Sequence, residues 1–288
     1  MKPMLAQTGD EQWLLEIENE PNWVAARKWD GVRILFFLND SGNKLLTRSG
    51  TNIVNKNPRF QKIVGILDGT ILDSEGVTSS NYLGDVQSLV HRKAASNQMK
   101  LVLFDCLRYK GERITYLPLR ERIAYLKLVY RILKDLRYPV SMEKLIRSNK
   151  RTFYRKTVKS GGEGVMTKDL LAPYSPGRRT SSWIKVKPRN TYDFIIMGFT
   201  QGSGKYSNQI GAIIYGTLYE GQVTKVGRSS GMTDKERLDM TRNPRKYIGK
   251  VAEFEAQEIT RSGAMRHPSF VQLRPDLKPS DIKLEAYL

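Results

Sequence analysis

The sequence predicts an α+β chain in two parts: antiparallel sheets with helices over residues 1–188, then a small OB-type β-barrel over residues 189–288. Three observations carry this. Apolar runs bounded by turn residues recur through the first part, as strands do. One stretch, Pro118 to Lys134, places Leu119, Ile123, Leu126, Val129, Tyr130 and Leu133 at three- and four-residue spacing, as an amphipathic helix does. After Pro188 the texture changes to short strands separated by glycine turns, the pattern of a small barrel.

In chain order, residues 11–20 read as a short acidic helix. Strands follow on either side of Lys28, at Trp23-Val24-Ala25 and Ile34 to Leu38, and another runs from Lys44 to Thr47 after the turn Asn39 to Asn43. Asn57-Pro58-Arg59-Phe60 opens a helical segment through Ile66. Gly69 to Gly76 reads as a strand ending at acids, 85–97 as a helix and 99–107 as a buried strand. A second basic helix is predicted from Met142 to Lys159, broken by Gly161, Gly162 and Gly164 before Val165 to Lys168. Trp183 to Lys187 alternates like a strand. The second part offers strands at Phe194–Phe199, Gly211–Gly216, Gln222–Val226 and Val251–Ile259, with a helix near 233–241.

Composition narrows the function. The 48 Lys+Arg against 29 Asp+Glu give a net charge of +19, which points to a polyanionic partner through phosphate contacts. No basic amphipathic helix suits a membrane surface, and no stretch approaches the length of an apolar span. The single cysteine, Cys106, excludes a disulfide framework and a cysteine zinc site, and its apolar surroundings make it a buried small hydrophobe. With no apolar signal core at the N-terminus, a cytoplasmic compartment is expected.

Lys28 sits in Lys28-Trp29-Asp30-Gly31-Val32-Arg33, at a strand–turn–strand corner. A lysine is a nucleophile only when neutral, and burial or neighbouring cations favour that state. Lys185 and Lys187, two apart on one strand, face one side and could hold a phosphate. Glu163 lies in a glycine-rich strand entry, where a carboxylate could hold a divalent metal bridging to phosphates.

These segments, together with Thr47-Arg48-Ser49-Gly50, Asp73-Ser74-Glu75, Leu103-Phe104-Asp105, Glu163-Gly164-Val165-Met166, Trp183 to Lys187 and the tail Met265 to Asp276, resemble in order the nucleotidyltransferase motifs of ATP-dependent DNA ligases. The resemblance covers essentially the whole chain. It implies a nucleotidyltransferase (adenylation) domain followed by an OB-fold domain, acting as a monomer on nicked duplex DNA with ATP and Mg2+ (or Mn2+), and with no membrane partner. It implies that Lys28 carries AMP covalently, that Lys185 and Lys187 clamp the α-phosphate, and that Arg27 and Arg33 help hold the nucleotide. By the same resemblance Phe104 and Met166 sandwich adenine, and Arg48 meets the 5′-phosphate of the nick. Glu163 and Glu75 serve the metal, and Glu75 also lies near the sugar. Arg274 and Asp276 orient the pyrophosphate leaving group.

Three positions depart from the family pattern. Ala26 stands where an adenine-contacting glutamate or threonine is common. The third motif can be read at Asp68-Gly69-Thr70 or at Asp73-Ser74-Glu75, and Glu75 is preferred. Leu277 separates Asp276 from Lys278, where a lysine usually follows directly. His267 has no role in this chemistry and reads as structural. An RNA ligase, a capping-type nucleotidyltransferase and a non-catalytic DNA-binding module on the same architecture are the alternatives.

Overall fold

Two sheets organise the first unit, Met1–Lys187, in the computed structural model of the chain. The described residues are 1–79, 86, 88, 90, 94–188, 190–256, 259 and 264–282. One sheet joins β1 (Leu5–Gly9), β10 (Arg179–Val186), β9 (Val165–Asp169) and β2 (Trp23–Arg27), in the order β1-β10-β9-β2. The other joins β3 (Val32–Leu38), β4 (Lys44–Thr47), β5 (Thr70–Val77), β6 (Lys100–Tyr109) and β7 (Glu112–Arg113), in the order β4-β3-β5-β6-β7, with β8 (Val140–Met142) on β6. Pairing is antiparallel except where β1 meets β10 and β8 meets β6.

Strand β3 is apolar at nearly every position because both of its faces are covered. Ile34, Phe36 and Leu38 point into a core shared with Leu126, Val129 and Leu133 of helix α2 (Leu119–Asp135). Leu35 points the other way, into a layer with Met4, Ile71, Phe104, Leu107 and Trp183 that joins the two sheets. Helix α2 also buries Arg122, whose guanidinium makes paired 2.9 Å hydrogen bonds to Asp105. Helix α1 (Glu11–Glu16) is capped by Asp10, which accepts from the Trp13 amide.

Four expected helices differ. Residues 57–66 form 3-10 turns at Pro58–Phe60 and Gly65–Leu67 instead of a helix. The Asn43 side chain donates to the carbonyls of Phe60 and Lys62 (2.9 and 2.7 Å), removing acceptors that a helical ladder needs. The basic helix begins at Lys150, not Met142, as α3 (Lys150–Lys159). Backbone upstream is spent on strand pairing: Glu143 donates to Leu103, and Ile146 exchanges two bonds with Ala25. Likewise α1 stops at Glu16, because the carbonyls of Ile17, Glu18 and Glu20 turn to accept from the buried Lys150 ammonium. Of the helix expected at 85–97, Val86, Ser88 and Val90 are helical and 94–97 are not, while 85, 87, 89 and 91–93 lie outside the described residues.

The second unit, Pro188–Leu288, is one five-stranded sheet. Its order is β13 (Gln222–Ser229), β12 (Ile210–Tyr219), β11 (Asn190–Gln201), β14 (Val251–Ala256), β15 (Ser269–Leu273). The strand expected to reach Ile259 ends at Ala256, with 257 and 258 outside the described residues. Its outer edges meet: Gly231 bridges Ser269, the Phe270 amide donates to Gly231 at 2.7 Å, and the Ser229 hydroxyl donates to the Pro268 carbonyl at 2.8 Å. The sheet is thereby a closed barrel around Phe194, Ile196, Ile213, Tyr215 and Phe254. Helices α4 (Asp234–Arg242), opened by a Thr233–Glu236 capping box, and α5 (Pro244–Tyr247) pack onto it. Among the described residues, no helix is long and apolar enough to cross a membrane.

Candidate active site

Lys28 occupies a four-residue crossing, residues 28–31, between β2 in one sheet and β3 in the other. Its amide donates to the Gly164 carbonyl at 2.9 Å. Gly164 has φ +126°, and a Cβ there would overlap the Val186 carbonyl, so only glycine lets these segments meet. Gly31 is equally confined, because a Cβ would run into the Gly76 carbonyl and the Glu75 side chain. The corner is fixed on both sides of the lysine.

The Lys28 ammonium makes an ion pair with Glu163, and the second oxygen of the same carboxylate pairs with Lys187. Burial pushes the Glu163 carboxyl up, but the two ammonium groups more than offset this and hold it below the usual carboxylate range. Lys185 is shifted the other way. Partial burial, then the nearby Lys187, Lys28 and Arg179, lower its pKa. Glu75 is pushed up to about 7 by burial, with Asp73 and Glu163 adding to the rise and Arg33 and Lys28 opposing it.

Beside this cluster opens a cavity of about 250 Å³. Of the residues singled out in the sequence, Arg27, Lys28, Arg33, Arg48, Glu75, Phe104, Met166 and Lys185 line it. Glu163 and Lys187 are tied to it through Lys28. The Arg33 guanidinium is locked onto Asp73 by two 2.5 Å hydrogen bonds and lies over the Phe104 ring at 4.7 Å. Asp73 is therefore a buried anchor and Glu75 the carboxylate that faces the cavity. In the second unit, Arg274 pairs with Asp276 at 2.7 Å and with Asp193 at 3.1 Å. His267 is exposed and in the left-handed region, at φ +53°.

Sequence reasoning missed Glu143, Lys168, Arg179 and Trp29, all of which line the same cavity. Lys168 was legible, being two residues after Met166 on one strand and so on the same face. Its ammonium lies 4.6 Å from the Phe104 ring and 4.5 Å from Trp183, and it pairs with Glu143. Trp29 packs against the Arg27 guanidinium at 4.9 Å. The two basic helices are less free than their composition suggests. Arg122 and Lys150 are buried, and Arg151 and Arg155 both pair with Glu11.

Comparison with known proteins gives this arrangement a family. Residues 3–187 match the family described as ATP dependent DNA ligase domain, and residues 201–274 match DNA ligase OB-like domain. The multifunctional non-homologous end joining DNA repair protein LigD of Mycobacterium tuberculosis is 26% identical over 99% of this chain, which spans 40% of that protein. A DNA ligase of Thermococcus onnurineus is 27% identical over 98% of the chain, corresponding to 56% of its own length. Among solved structures, mycobacterial DNA ligase D complexed with ATP and MES superposes with a TM-score of 0.57 at 25% identity, covering 98% of this chain and 97% of the other. A Lig E DNA ligase shares the fold at a TM-score of 0.69 and 18% identity, covering 95% and 99%.

Proposed function

The chain belongs to the ATP-dependent DNA ligase family, and from that premise we propose that it seals 5′-phosphate/3′-hydroxyl nicks in duplex DNA through a lysyl-adenylate on Lys28. The observation that carries this reading is the Lys28 amine, held against Glu163 at the wall of a cavity that also presents Phe104, Met166 and Lys185.

In the first step the Lys28 ammonium of the ion pair with Glu163 gives up a proton to solvent, and its Nζ attacks the α-phosphorus of ATP. An N–P bond forms, the P–O bond to the β-phosphate breaks, and pyrophosphate leaves. The 5′-phosphate of the nick then attacks the same phosphorus, freeing Lys28 and giving a DNA-adenylate. The 3′-hydroxyl displaces AMP and closes the strand. Such transfers depend on in-line positioning and on charge placed around the phosphate more than on strong acids or bases. Glu163 orients the Lys28 amine. Lys185, whose pKa is lowered by partial burial and then by the neighbouring cations, shares the α-phosphate charge with Lys187. Phe104 and Met166, a ring face and a thioether, form the base slot. Arg27 and Arg33 hold the nucleotide, the exposed Arg48 meets the 5′-phosphate, and Arg274 with Asp276 orients pyrophosphate.

Glu163 and Glu75 would hold Mg2+, or Mn2+. Among the described residues no group of three or more acids, histidines or cysteines gathers to form a cage. That donor set suits an ion bound by one or two carboxylates with substrate phosphates completing its shell. When bound, the ion supplies neutralisation of phosphate charge. The protein acts as a monomer on nicked DNA in this reading.

Incubation with α-labelled ATP and Mg2+ should leave label on the denatured protein, and Lys28→Ala should carry none. An unlabelled wild type, or equal label on the variant, overturns the assignment.

A further inference from the structure

The cavity next to Lys28 is lined by seven cations, Arg27, Lys28, Arg33, Arg48, Lys168, Arg179 and Lys185, and by two carboxylates, Glu75 and Glu143. Cations suit a triphosphate, whereas a carboxylate facing phosphate with no metal between them is repelled, so an acid not assigned to the metal must face a part of the ligand that donates hydrogen bonds. The two acids stand in different surroundings. The charges acting on Glu75 include Lys28 and Glu163, the groups at the reacting end. Those acting on Glu143 are Lys168, Arg33 and Asp105. Arg33 and Lys168 both lie on the Phe104 ring, at 4.7 and 4.6 Å. Glu143 is thus joined through Lys168 to the ring that forms the base slot.

Its placement is firm. The Glu143 amide donates to Leu103, the residue before Phe104, at 2.9 Å, and the residue is only 7% exposed. Lys168, 2% exposed, engages Oε2. A carboxylate has a second oxygen with lone pairs of its own. Strand β2, which leads into Lys28, offers no rival side-chain acceptor here, since Ala26, paired with Met166, is fully buried and apolar, and Arg27 carries only donors.

Resting on the proposed base slot at Phe104 and Met166, we propose that Glu143 is the specificity-determining residue for the base, its Oε1 accepting a hydrogen bond from the 6-amino group of adenine while Lys168 holds the carboxylate in register. A 6-oxo purine presents an acceptor at that position and is repelled. A purine with hydrogen at C6 loses the bond and leaves a buried carboxylate oxygen unpaired.

The test is covalent labelling of the full chain by three α-labelled triphosphates that differ only at C6: ATP, ITP and purine riboside triphosphate. For the wild type, the labelling efficiency should fall about ten- to a hundredfold from ATP to either analogue, the range for a bond to a buried charged group. Glu143→Gln, whose amide can donate to a 6-oxo group, should lower the ATP-to-ITP preference at least about tenfold. A merely structural role would slow all three nucleotides together and leave their ratios unchanged, which would overturn the proposal. Should Glu143→Gln fail to fold, the wild-type panel decides, since equal labelling by ATP and purine riboside triphosphate also overturns it. Absence of label with every nucleotide overturns the lysyl-adenylate reading and this one with it. Label without base preference overturns this one alone.

Discussion

At the scale of single residues, the site is built from charges held where water would not leave them. Glu75 shows the consequence. The folded chain raises its pKa to about 7 from the ordinary 4.5, so between those values the native state keeps a proton that the unfolded chain has released. That contribution to stability is fully present below about pH 4.5 and is lost as pH rises through about 7. Replacing Glu75 by Gln removes it. Relative to wild type, Glu75→Gln should gain about 2 kcal/mol of stability on moving from about pH 5 to about pH 8, read from urea unfolding at each pH. Parallel pH profiles for the two proteins would contradict a raised Glu75. Lys28, Glu163 and Lys187 form the complementary case, one carboxylate shared by two ammonium groups. Their types and order stood in the sequence. The sharing did not, because it depends on Gly164 letting two distant segments touch.

Among the elements, those with a local cause were legible. Strand β4 follows the expected Lys44 to Thr47, and α2 runs one residue beyond the expected Lys134, because alternation and three–four spacing are properties of neighbouring residues. Segments decided from afar were not. Asn43 takes the carbonyls of Phe60 and Lys62, and Ala25 takes the backbone of Ile146, so residues with helical composition became turns and strand. Glu143 was missed for the same reason, since a helix from Met142 would have carried it away from the cavity. The most consequential buried interaction is in α2, where Arg122 at a core position meets Asp105, both fully buried. Arg122→Met should cost about 3–5 kcal/mol, because it strands the Asp105 carboxylate in an apolar core. Adding Asp105→Leu should recover much of the loss. Chemical denaturation of the single and double variants measures both, and a double variant as unstable as the single would refute the stranded-charge account.

For the whole molecule, the net charge of +19 and the burial of Arg122 and Lys150 bear on DNA binding together. On the proposed nick-sealing reading, the cations that remain accessible neutralise phosphates and release counterions, so affinity for nicked duplex should fall at least tenfold between about 50 and about 200 mM salt, linearly on a log–log plot. A flat dependence, measured by fluorescence anisotropy, would refute the phosphate-contact reading. The parallel pairing of β1 with β10 carries a different implication. Leu5 pairs with Arg179 and Thr8 with Lys185, so the first strand of the nucleotide-binding unit is pinned by its last. During synthesis the chain must carry nearly the entire unit unsatisfied before that sheet can close. Contacts of such sequence separation are slow to form, and the unpaired edges of the early strands β1 and β2 are a hazard while β10 and β9 are awaited. The lysine proposed to carry AMP is made early, and its pocket exists only when the ribosome has delivered Val186.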